Sequence, residues 1–147
     1  MVFSILLISI KAQTKFFQPA DSINKSRVIG VSSGVSLAYA GSMIGLAQLW
    51  YKDQPKSSFH FFNDNAHWLQ MDKLGHTYSA YWIQNRVNSL FRWSGMNRKS
   101  SLIISGAYGF VFQGTFEVLD GFAADYGFSY GDLIANGAGI TLFTTQE

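Results

Sequence analysis

From Val28 to Tyr51 the chain runs for twenty-four residues without a charge, bounded by Arg27 and Lys52. A helix that long crosses the hydrocarbon core of a bilayer, which needs about 20 apolar residues. The stretch is only weakly hydrophobic, being rich in Gly and Ser. Gly30, Gly34, Ala38, Gly41 and Gly45 recur every three or four residues and fall along one helical face. Small residues at that spacing let two helix backbones approach closely in a membrane, and a soluble bundle uses the same stripe. The run therefore dictates a long helix and leaves its solvent open. Mean hydropathy over the chain is only +0.08, so membrane association is expected rather than a multispan channel.

Charged residues make up 14% of the chain, well below the roughly 25% of an ordinary soluble domain. With 16% aromatics, the chain buries too much to be disordered. None of its 147 residues is a cysteine, which excludes a disulfide scaffold, a thiolate metal site, a cysteine nucleophile and a lipidated cysteine among them. The net charge of +2 conceals an asymmetry: all eleven Lys and Arg residues lie at or before Lys99, whereas residues 100–147 carry five acids and no Lys or Arg. The cations are scattered singly between apolar segments. A nucleic-acid interface needs a clustered basic stripe, so no nucleic-acid partner is expected.

The apolar run Val2 to Ile10, followed by Lys11-Ala12-Gln13, is too short to span a bilayer and fits the hydrophobic region of a secretory signal over residues 1–12. Residues 13–26 read as a linker ending in a helix cap, and 27–147 as one helical domain. After a loop over 52–63, Asp64 is placed to cap a helix from about Asn65 to Trp93. Another helix follows from about Lys99 to Leu119, stopping at Asp120-Gly121. The capping-box pattern Ser129-Tyr130-Gly131-Asp132 opens a last one through about Thr144. No strand pattern competes. The expected fold is all-α, a compact, membrane-associated bundle of about four principal helices.

Three polar pairs interrupt these apolar helices: Asp72 with His76, Glu117 with Asp120, and Asp132 with Asn136. Spacings of three and four put both members of a pair on one face, which is how helical bundles build sites in their cores. Glu117 stands out as the only charge between Ser100 and Leu119; a buried carboxylate must be paired, protonated or functional. Each residue also has a structural reading. Asp132 can serve the helix dipole in its capping box, Asn136 can bond a neighbouring helix, and Asp72 with Lys73 can be a surface ion pair. Two accounts of the cluster Asp72, Lys73, His76, Glu117, Asp120, Asp132 and Asn136 therefore stand, a hydrogen-bond network holding helices together and a ligand or catalytic site. His76, Asp72, Glu117 and Asp120 are the candidate metal ligands, of a type suited to a hard cation or zinc. The sequence requires no cofactor, and no standard catalytic motif is present. Gly137 and Gly139 inside the last helix read as close packing, not phosphate binding.

The ordered set Trp68-Leu-Gln-Met-Asp72-Lys73-Leu-Gly75-His76, Ser79-Ala80-Tyr81, Glu117-Val-Leu-Asp120-Gly121 and Gly127-Phe-Ser129-Tyr-Gly131-Asp132 with Asn136 resembles the YfiM-like predicted periplasmic lipoproteins, a family of unknown function, over about residues 59–143. The skeleton Asp-Lys-x-x-His, an acid, then Asp132-x-x-x-Asn136-x-x-Gly139 is also similar to VanZ-like membrane proteins, associated with glycopeptide-antibiotic resistance. The resemblance implies a bacterial envelope protein on the periplasmic side, with membrane lipids or envelope components as partners. The expected function is binding of a lipid, wall precursor or protein partner. The alternative is a hydrolase or transferase acting on a phosphorylated envelope lipid, with His76 as acid–base, Asp72 orienting it, Glu117 and Asp120 holding water or a cation, and Lys73 neutralising phosphate.

Overall fold

The computed structural model describes residues 16–147; the signal-like segment 1–12 lies outside them. Four α-helices follow in order: α1 Lys25–Leu49, α2 Met71–Trp93, α3 Arg98–Asp120 and α4 Tyr130–Gln146. Three begin on side-chain caps of the expected kind. Asn24 accepts from the Arg27 N–H at 3.1 Å, Asn97 from Ser100 at 2.9 Å and Ser129 from Asp132 at 3.2 Å, each satisfying a donor that the first helical turn leaves free. The described residues form no strand. Two isolated bridges, Lys56 with Ala123 and Phe61 with Phe128, clip the loop before α2 to the loop between α3 and α4.

The start of α2 differs from the expectation. Asp64 does not cap a helix at Asn65; the helix starts at Met71, after a short turn in which Leu69 (φ 51°) and Gln70 (φ 62°) are left-handed. Asp64 is buried and drawn away by two stronger partners, Lys73 and the Ser129 hydroxyl. The chain must turn sharply to bring it there.

Successive helices alternate in direction, and α2, α3 and α4 form the packed unit. Glycines make this closeness possible. A Cβ at Gly139 would run into the Thr77 carbonyl oxygen of α2, and one at Gly106 would meet Gln84 at 3.1 Å. The glycine stripe of α1 plays no such part, because a Cβ at Gly30, Gly34, Gly41 or Gly45 would meet nothing within 4 Å. Instead α1 rests on long side chains. Val31 joins Val87 and Phe91 in a small apolar core, Tyr39 bonds Thr115 at 2.8 Å, and the Tyr108 hydroxyl donates to the Val35 carbonyl at 2.9 Å. Residues 20–24, expected as linker, pair with the end of α2 through Ala20 N–H to Trp93 O (3.2 Å) and Asn24 N–H to Ser94 O (2.9 Å).

Burial is inverted relative to a water-soluble bundle. Among the described residues eight apolar side chains are buried against eleven polar or charged ones, and the largest fully buried side chains are Gln84, Glu117 and Asn136. Large apolar side chains such as Ile29, Leu37, Ile103, Val111, Ile134 and Leu142 are exposed. The two ends of the bundle also differ in charge. Lys25, Arg27, Arg92, Arg98 and Lys99 gather where α1 and α3 start and α2 ends, facing only Asp21 and Glu147 in sign. Among the described residues the opposite end carries three lysines (Lys52, Lys56, Lys73) and seven acids.

Candidate functional site

The acidic end holds every residue singled out from the sequence. The first turns of α2 supply Asp72, Lys73 and His76, the last turns of α3 Glu117 and Asp120, and the first turns of α4 Asp132 and Asn136. Alternating helix directions bring these termini together, so residues sixty positions apart meet. His76 Nδ1 lies 3.1 Å from Asn136 Oδ1, an acceptor that also receives the Gln113 amide at 3.5 Å. That partner requires the imidazole proton on Nδ1. Nε2 then faces three carboxylate oxygens: Glu117 Oε1 at 3.5 Å, Asp72 Oδ1 at 3.7 Å and Asp132 Oδ1 at 3.8 Å.

Lys73 pairs with Asp72, the ion pair that the sequence allows, but the pair is part-buried and not isolated at the surface. Its half-buried ammonium lies among three carboxylates, 2.7 Å from Asp64, 2.7 Å from Asp132 and 3.2 Å from Asp72. All three donors of the ammonium thereby have a partner, which leaves none to neutralise a phosphate. Burial pushes the Asp64 carboxyl up, but the hydrogen bonds from Lys73 and Ser129 outweigh it and hold the group below its ordinary value.

Glu117 is 1% exposed. One oxygen, Oε2, accepts from the Ser129 N–H at 3.2 Å, and Oε1 has no hydrogen-bond donor. Asp120 points elsewhere and accepts from the Tyr51 hydroxyl. Burial and that carboxylate push the Tyr51 phenol up, so it stays a donor. The ligand atoms that all come within 4.8 Å of one another belong to Asp72, His76 and Asp132; of the metal candidates read from the sequence, Glu117 and Asp120 are not among them.

A pocket of about 630 Å³ opens onto these groups, with Leu46, Trp50, Phe62, Met71 and Phe116 as its apolar wall and Asp72, His76, Glu117, Asp120 and Asp132 as its polar one. Asp64, Tyr51 and Gln113 are site residues that sequence reasoning missed. Asp64 carried a signal, as an acid just after the aromatic run Phe59, Phe61 and Phe62; Tyr51 carried none. Ser129 was legible as a cap, but its hydroxyl also donates to Asp64 at 2.8 Å. Ser129→Ala therefore removes two hydrogen bonds at a buried position and is expected to cost about 2 kcal/mol, measurable by chemical or thermal unfolding.

A family profile described as predicted periplasmic lipoprotein matches residues 60–145, which takes in α2 to α4 and the loop that supplies Asp64. The chain belongs to this family, DUF2279. No curated protein and no solved structure matches the chain. The DUF2279 region contains every carboxylate of the site together with Lys73 and His76, whereas α1 and Tyr51 lie outside the matched residues. Membership places the protein in the bacterial envelope, on the periplasmic side, and supplies no activity.

Proposed function

We propose that the protein is a membrane-embedded envelope protein whose acidic end faces the periplasm and binds an amphiphilic envelope molecule, a lipid or wall precursor, in the pocket beneath α1. The observation that carries this reading is the inverted burial, with Gln84, Glu117 and Asn136 inside and Ile103, Val111 and Leu142 outside. In water that arrangement forfeits the main driving force of folding; in hydrocarbon it is the arrangement expected. Two helices are long and apolar enough to span, α1 with mean hydropathy 1.4 and α3 with 1.3. The five cations at one end supply the orientation, since Lys and Arg are retained on the cytoplasmic side. Arg86, about two turns from that end of α2, lies 5.1 Å over the Trp82 ring and is long enough to snorkel. The pocket suits an amphiphile because its apolar wall adjoins its charged one. Its carboxylates repel a bare phosphate, and Lys73 is already engaged, so the geometry favours binding over phosphate hydrolysis by these side chains alone.

The absence of cysteine gives the test a silent background. Ser58→Cys at the acidic end and Lys99→Cys at the basic end are labelled in intact spheroplasts with a membrane-impermeant maleimide. Position 58 is expected to label at once and position 99 only after lysis, with the protein staying in the membrane pellet after carbonate washing. Release into the osmotic-shock fluid, or equal labelling at both positions, contradicts the embedding. Lipids extracted from the purified protein test the binding: enrichment of one class over the bulk membrane is expected, and its loss in Phe116→Lys. A bulk-like lipid profile contradicts it.

A further inference from the structure

The contact between His76 and its surroundings is chemically incomplete. With the Nδ1 proton given to Asn136 Oδ1 at 3.1 Å, the Nε2 lone pair points toward oxygens of Glu117, Asp72 and Asp132 at 3.5–3.8 Å. A lone pair and three carboxylate oxygens are all acceptors, and nothing among them donates. Lys73 completes the group only in part: it donates to Asp132 Oδ1 at 2.7 Å and to Oδ2 of Asp72, and leaves Asp72 Oδ1 and Glu117 Oε1 facing the imidazole. Glu117 adds an independent observation. The residue is 1% exposed, and its Oε1, aimed at the same point, has no hydrogen-bond partner. A buried carboxylate oxygen without a donor is costly unless the group takes up a proton or a cation supplies the missing interaction.

We propose that this point is a metal site, in which His76 Nε2 and carboxylate oxygens of Asp72, Asp132 and Glu117 bind a divalent transition-metal ion. Ligand atoms about 2.0–2.2 Å from such an ion sit roughly 3–4 Å from one another; Nε2 lies 3.5–3.8 Å from the three oxygens, and the Asp72, His76 and Asp132 atoms all lie within 4.8 Å of one another. One imidazole with three carboxylates and no thiolate suits Zn²⁺ or Mn²⁺; Ca²⁺ and Mg²⁺ favour all-oxygen sets. Asn136 has the usual part of the group that fixes a ligating imidazole through its other nitrogen. The ion would also offset two of the negative charges the pocket presents, so an anionic headgroup meets less repulsion there than from the bare carboxylates. The site itself does not depend on the membrane reading.

The test uses the full chain, purified in detergent, stripped with a chelator and titrated with Mn²⁺ while free Mn²⁺ is followed by electron paramagnetic resonance. Saturable binding of one equivalent is expected, displaced by Zn²⁺ and not by Ca²⁺. Asp72 is the most exposed of the ligands, with a side chain 34% accessible, so Asp72→Asn is expected to fold and melt like the wild type without metal while losing affinity about tenfold or more. The wild-type titration needs no variant at all. No saturable binding below a dissociation constant on the order of 1 mM overturns the proposal and leaves a proton shared within the cluster as the occupant. Several equivalents bound identically by wild type and Asp72→Asn also overturn it, as capture by surface acids. Because the titration contains no added lipid, its failure is separable from failure of the lipid-binding reading.

Discussion

Lys73→Met is expected to destabilise the protein by about 3–5 kcal/mol, the cost of stripping the ammonium that Asp64 and Asp132 share. Methionine keeps the length and apolar stem of the side chain, so the change isolates the ammonium. Asp64 and Asp132 each lose a 2.7 Å partner, and neither lies where water can replace it, at 6% and 3% exposure. For a chain of this size the loss corresponds to a melting temperature lowered by roughly 10–20 °C. The companion experiment is Lys73→Met combined with Asp64→Asn, which removes one of the stranded charges; it should melt above the single variant, a non-additivity characteristic of groups in one network. A Lys73→Met protein that melts within a few degrees of wild type would show that the carboxylates do not rely on this ammonium, and the ion-pair account of the site would fail.

Gly139→Ala should be comparably damaging for a different reason. Its new Cβ would run into the Thr77 carbonyl oxygen and lie 3.0 Å from the Thr77 carbonyl carbon and 3.1 Å from the Tyr81 nitrogen. These are backbone atoms, so no rotamer change relieves the clash and α2 must move away from α4. Overpacking of this kind costs about 3 kcal/mol. The damage reaches the site, because Asn136 is one turn before Gly139 and His76 adjoins Thr77, so the 3.1 Å bond between them opens. Gly137→Ala is the matched control, two residues away on the same helix and with nothing within 4 Å of its Cβ. It is expected to be neutral or to stabilise by up to about 1 kcal/mol through helix propensity. Similar melting temperatures for the two variants would mean that the α2–α4 crossing is looser than described.

Periodicity and caps made most of the fold legible. Arg98–Asp120 and Tyr130–Gln146 fall within two residues of the helices that Asp120-Gly121 and the Ser129 capping box mark out. What failed was partner choice. Asp64 has the sequence signature of a cap, and only the arrival of Lys73 and Ser129 from other segments shows why it caps nothing. The glycines of α1 and the single Gly139 carry the same local signal, and only the second meets a backbone. Spacings of three and four placed the polar pairs on shared faces, and the site needed one more condition, alternating helix directions that stack the three faces at one end. Tyr51 could not have been anticipated, because its role depends on where the end of α1 comes to rest over Asp120.

The loose seating of α1 divides the labour within the pocket. The charged wall belongs to the tightly crossed trio α2, α3 and α4, whereas Leu46 and Trp50 of the apolar wall come from a helix with no glycine-mediated crossing. Girth and chemistry are therefore set by different parts of the molecule. Substitutions along α1 can widen or narrow what the pocket admits while the ion network beneath stays as it is, and no comparable freedom exists at Asn136 or Gly139, where dimension and chemistry are the same thing.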